Sequence, residues 1–136
     1  MPLMAWNETF SVGVSSIDQQ HKKLIDLINE LHDGIAANHA KEKLAHVLNG
    51  LVQYTTTHFK YEERFFAQTH YAQTDAHKKE HDNLTKQVLD VQKRFTAGET
   101  GTLSMEVMNF LKRWLITHIQ GSDKKYGPHL VSNGIK

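Results

Sequence analysis

Apolar residues recur every three or four positions through most of this chain, and the stripes they draw run into histidines and acids. That period commits the chain to amphipathic helices packed on a shared core. Leu24, Ile28, Leu31 and Ile35 share one face, and His21 continues it backwards. Leu44, Leu48, Leu51, Thr55 and Phe65 form a second stripe that contains His58 and Glu62. Leu84, Val88, Val91 and Phe95 follow His77 and His81, while Val107, Leu111, Trp114 and Leu115 precede His118. Period-two alternation is too scarce for a sheet.

The spacing predicts helices over about 18–37, 41–67, 75–95 and 103–119, with Asp18 as the cap of the first. Residues 1–17, with Pro2, Gly13 and an alternating stretch at 10–14, read as an extended arm. Residues 124–136, with Pro128 and Gly134, read as an irregular tail. Residues 68–74 form a connection, and 96–101 is the clearest turn. No repeat or low-complexity segment interrupts the pattern. The expectation is one all-α domain over 1–136, an up-down-up-down antiparallel four-helix bundle; 136 residues are enough to close one core.

Composition removes several classes of function. Lys and Arg total 16 against 15 acids, so no basic stripe is available for nucleic acid. The start, Met1 to Asn7, has neither the charged nor the apolar region of a signal peptide. Apolar runs end well short of the ~20 residues needed to cross a bilayer, so no membrane insertion is expected. The absence of cysteine excludes disulfides, iron–sulfur clusters and thiolate zinc sites. A cytoplasmic protein is the default expectation, with a monomer preferred because one bundle can satisfy every stripe.

Seven residues then stand out: His21, His58, Glu62, His77, His81, His118 and Asp123. Those on the helical stripes point at the core, where an unpaired carboxylate such as Glu62 is costly and a cation would compensate it. His21 and His77 open the first and third helices, whereas His58 and His118 close the second and fourth. Antiparallel succession brings all four to the same end of the bundle. Residues four apart differ by about 40° of azimuth, so His58/Glu62 and His77/His81 can each converge on one site. His118 and Asp123 are five apart, about 140° on an unbroken helix, so Asp123 joins only if the helix opens at Gly121-Ser122. His32, His39, His46, His70 and His129 complete no such pattern and are expected on the surface or in loops; His70 and His129 fall nearest the metal end.

The arm Trp6…Gly13-Val14…Asp18-Gln19-Gln20-His21, with His58-Phe59-x-x-Glu62, His77-x-x-x-His81 and His118-Ile119-x-x-x-Asp123-x-x-Tyr126, resembles the hemerythrins, in length most of all the bacterial single-domain form. The resemblance covers nearly the whole chain and all seven ligand positions. It implies a non-haem di-iron site that binds dioxygen reversibly. It gives one iron His77, His81 and His118, and the other His21, His58 and an open position. Glu62 and Asp123 would bridge the two irons, together with an oxo or hydroxo group. The resemblance also sets Leu24, Phe59, Trp114, Leu115 and Ile119 around the open position, residues that equally serve as bundle core, and places Tyr71 and Tyr126 near the site.

Five imidazoles and two carboxylates favour the lower oxidation states of iron, whereas oxygen-activating ferritin-like sites are richer in carboxylates. The sequence offers no separate catalytic acid, nucleophile or substrate pocket. A non-enzymatic carrier for oxygen storage, transport or delivery to an oxygen-consuming enzyme is therefore expected, with a reductase as a further partner. The alternatives are oxygen or redox sensing and a di-iron oxidase or nitric-oxide detoxification activity.

Overall fold

A computed structural model describes residues 4–99 and 102–135. Pro2 and the end of the expected 96–101 turn lie outside the described residues. A short turn of 3₁₀-helix at Glu8–Phe10 precedes the helices α1 (Ser15–Ala36), α2 (Ala40–Thr69), α3 (Thr74–Thr96) and α4 (Leu103–Thr117). A π-helical turn, His118–Asp123, continues α4 into a short helix α5 (Lys124–Ser132). The chain forms an all-α four-helix bundle in which α1 packs on α2 and α4, and α2 on α3.

Three local expectations are corrected. Asp18 is not the cap of α1, which begins at Ser15 after Val14. Instead, the Asp18 carboxylate accepts the Val12 N–H at 2.9 Å and the Ser11 hydroxyl at 2.6 Å. It fastens the arm to the first turn, where a negative charge also suits the helix dipole. Within α2 the inward aromatic is Phe66, which is wholly buried, while Phe65 is half-buried. Phe66 lies four residues after Glu62, in line with the ligand face. The tail is helical over Lys124–Ser132 rather than irregular, despite Pro128.

Two apolar clusters hold the bundle. The larger runs along its length and includes Leu24, Ile28, Leu31, Leu48, Leu51, Leu84, Val107, Leu111 and Leu115. The smaller joins Val12 and Val14 of the arm to Ile17, Phe66, Tyr126 and Leu130. Arm and tail thus close one end of the bundle together. Their approach requires Gly127: a Cβ there would stand 2.3 Å from the Val12 carbonyl oxygen. The polar cluster described next lies between these two cores.

Candidate metal centre

All seven polar residues singled out from the sequence are buried, with His21, Glu62 and Asp123 at 0 % exposure. His77 and His118 bring Nε2 to 2.9 and 3.0 Å from Asp123 Oδ1, and His21 Nε2 lies 3.1 Å from Asp123 Oδ2. Glu62 Oε1 stands 3.3 Å from His58 Nε2 and 3.1 Å from His81 Nε2. Yet Nε2 of His21, His77, His81 and His118, Oε1 of Glu62 and both Asp123 oxygens lack a hydrogen-bond partner. Atoms this close but misaligned for hydrogen bonding point at shared positions between them rather than at one another. Leaving each buried polar atom unsatisfied costs about 1–3 kcal/mol, so the set calls for positive charge between these atoms, from bound cations or, without metal, from protons on the histidines.

Two groups of converging ligand atoms result. Glu62, His77, His81, His118 and Asp123 offer atoms within 4.8 Å of one another, as do His21, His58 and Glu62. Nitrogen and carboxylate donors of this kind suit iron, and the cluster fits a carboxylate-bridged di-iron site. Asp123 reaches it without the helix opening. The His118–Asp123 segment widens into a π-turn, which brings residues five apart onto one side. Such turns are rare and recur at functional sites.

The electrostatics follow from enclosing two carboxylates among imidazoles. Burial alone would push the Glu62 carboxyl up, but His58, His21 and His77 hold it well below its usual range. Asp123 is depressed too: His118 and His21 outweigh burial and the repulsion of Glu62. Burial disfavours charge on His118, His21 and His77, yet Asp123 and Glu62, joined by Glu80 at His118, raise them to about 10, 9 and 8. Burial wins at His58, which is lowered.

Several partners of the cluster were not evident from the sequence. The second ring nitrogen of His81 meets Glu63 at 2.9 Å, and that of His118 meets Glu80 at 3.1 Å. His58 pairs through Nδ1 with Gln20, and Tyr126 donates its hydroxyl to Glu62 Oε2. A ligating histidine usually donates its other N–H to an acceptor, which was the available signal. Glu63 and Glu80 are sequence neighbours of Glu62 and His81, but which helix each faces is settled only by the packing.

Leu24, Phe59, Leu115 and Ile119 belong to the larger apolar cluster, and Trp114 packs against it. Phe59 stacks on His81 at 3.8 Å between ring centroids, and Trp114 on His118 at 4.3 Å. Tyr54, not singled out in advance, stacks on His58 at 4.6 Å. Tyr71 is half-buried and meets Tyr126 edge-on at 6.3 Å. The other histidines stay out of the cluster. His46 pairs with Glu30 at 3.0 Å, His39 precedes α2, and His32 is half-buried on α1. His70 ends α2 in the left-handed region, with φ 55, and His129 Nε2 donates to the Thr69 carbonyl at 2.9 Å.

Comparison with known proteins agrees with this geometry. The hemerythrin HHE cation binding domain matches residues 12–130. Bacteriohemerythrin of Methylococcus capsulatus is 40 % identical over 96 % of this chain and 98 % of its own. Bacteriohemerythrin of Stenotrophomonas maltophilia is 35 % identical over 98 % of this chain and 85 % of its own. A crystal structure of wild-type hemerythrin, 40 % identical, superposes with a TM-score of 0.84 over 94 % of this chain and 98 % of that one. Among the described residues no helix is long and apolar enough to cross a membrane. With its bundle, its paired ligand groups and its matching span, this chain belongs to the hemerythrin family.

Proposed function

We propose that this protein binds dioxygen reversibly at a di-iron centre and stores it or delivers it to an oxygen-consuming enzyme. His77, His81 and His118 hold one iron in this reading, His21 and His58 the other, with Glu62 and Asp123 shared between them. The observation that carries it is the inequality of the two ligand groups. One has five converging residues and the other three, with Glu62 common to both. The poorer group leaves room for an exogenous ligand. Asp123 reaches both sides as well, standing 3.1 Å from His21 and 2.9 Å from His77.

When bound, the iron pair supplies two one-electron reductants and a Lewis-acidic position at which dioxygen can be taken up. The protein's share is geometric and dielectric. Leu24, Phe59, Leu115 and Ile119 are buried and would keep water and protons from the site. That favours return of the gas as dioxygen, with both electrons going back, over its irreversible loss as a reduced, protonated product. The Tyr126 hydroxyl holds Glu62 Oε2 while Oε1 faces the histidines. Five imidazoles and only two carboxylates would favour the lower oxidation states of the bound irons, which suits a carrier rather than an oxidase.

Anaerobic loading with ferrous iron, exposure to oxygen and purging with inert gas test the reading. A visible charge-transfer band that appears with oxygen and vanishes on purging, at two irons per chain, is the expected result. Irreversible conversion to a ferric spectrum would instead favour an oxidase or a sensor, and failure to load two irons would remove the centre itself.

A further inference from the structure

Glu80 on α3 directly precedes His81, yet its side chain serves the π-turn that follows α4. One oxygen accepts from His118 Nδ1 at 3.1 Å, and the Ser122 hydroxyl lies 2.7 and 2.8 Å from the two carboxylate oxygens. His118 and Ser122 are both members of the π-turn that presents Asp123. A π-turn is uncommon because it gives up the regular i→i+4 ladder, so something outside it must favour it. Two attachments from α3 fix the rotation of the turn, and with it the direction of Asp123, the next residue after Ser122.

The same carboxylate acts on the ligand itself. An imidazole whose distal N–H is taken by an anion becomes a stronger donor through its other nitrogen. Glu63 does this for His81 at 2.9 Å. Across the cluster the support is weaker: His58 meets the neutral amide of Gln20, and His21 Nδ1 has no hydrogen-bond partner. The anionic support is therefore confined to one ligand group.

We propose that Glu80 is a positioning residue of the centre, which clamps the π-turn presenting Asp123 and, with Glu63, makes the three-histidine half electron-richer than the two-histidine half. This rests on the di-iron assignment above. An iron held by the electron-richer half would be bound more firmly and its ferric state favoured there, adding to the difference that the unequal ligand groups already impose.

Three variants separate the two effects. Glu80→Ala removes clamp and charge, Glu80→Gln keeps an acceptor oxygen but removes the charge, and Ser122→Ala loosens only the turn. In the metal-free chain, hydrogen exchange of the 118–123 amides should quicken in Glu80→Ala and Ser122→Ala and stay near wild type in Glu80→Gln. After loading, Glu80→Ala should release iron to a chelator ~10–100-fold faster than wild type. Glu80→Gln should raise the midpoint potential and shift one of the two ⁵⁷Fe Mössbauer doublets. If Glu80→Ala does not fold, Glu80→Gln and Ser122→Ala carry the test. Wild-type exchange rates in Ser122→Ala and Glu80→Ala, or equal movement of both doublets in Glu80→Gln, overturn the proposal while leaving two irons per wild-type chain. A wild-type chain that loads no iron pair overturns the di-iron assignment and this proposal together.

Discussion

The Tyr126 hydroxyl donates to Glu62 Oε2, joining residues 64 apart in sequence and tying α5 to the innermost acid of α2. Both side chains are at 0 % exposure, so neither has water as an alternative partner. Burial and the Glu62 charge push the Tyr126 phenol well above its ordinary range, which keeps it a donor. Tyr126→Phe preserves the ring packing on Phe66 and deletes only this donor. The expected cost is about 1–3 kcal/mol of unfolding free energy in the metal-free chain, read from urea denaturation. An unchanged midpoint would mean that Glu62 finds its support elsewhere.

Leu24 lies one turn from His21 on the same face of α1 and is wholly buried. If it guards the open position, shortening it lets water and protons in. Leu24→Ala should hasten autoxidation of the oxygenated protein while iron content stays at the wild-type level. Its cavity should also cost ~2–5 kcal/mol of stability. An autoxidation rate equal to wild type, followed by the decay of the visible band, would sink the guarding role even if stability fell.

Glu62 and His46 make a controlled comparison. Each pairs with an oppositely charged or potentially charged group, but Glu62 is common to both ligand groups while His46 meets Glu30 on the surface. Glu62→Ala should abolish loading of the iron pair, measured as iron per chain. His46→Ala should load fully, and the loss of an exposed pair should change stability by no more than about 1 kcal/mol. Full loading and oxygen binding in Glu62→Ala would overturn its bridging role.

His21, His58, Glu62, His77, His81 and His118 were legible in the sequence because an apolar stripe ran into each at helical spacing. Antiparallel order predicted the shared end of His21, His58, His77 and His118; Asp123 lay off that period. What the sequence hid was local. The five-residue step from His118 to Asp123 demanded a break in the α-helix, but a widened turn and an opened one satisfy that demand equally. The choice depends on Glu80 reaching Ser122 from another helix. Asp18 read as a cap because acids favour helix starts, yet its partners lie six and seven residues back in the arm. Pro128 read as a breaker, but the tail draws its order from packing Tyr126 and Leu130 against Val12, Val14 and Phe66. In each case tertiary contacts outweighed local preference.

Charge balance inside the bundle gives a last expectation. Without metal, Glu62 and Asp123 remain anionic, and the charge is offset by protons on histidines. His118, His21 and His77, raised to about 10, 9 and 8, hold those protons at neutral pH. A metal binds only the deprotonated nitrogen, so loading must expel them. Iron uptake at pH 7 in weak buffer should therefore acidify the solution by up to three protons per chain from these histidines, read by pH-stat titration. The sign is fixed: these groups lose protons as pH rises through about 8 to 10, so apparent affinity should increase with pH until that range is passed. The same protons stabilise the metal-free fold below the ordinary histidine pKa of ~6.5, and that contribution is lost as pH rises through the raised values. Metal-free protein should thus weaken toward alkaline pH while iron-loaded protein does not, a divergence that thermal melts of the two forms would reveal. Parallel melting curves across pH 7 to 10 would show that the buried acids are balanced in some other way.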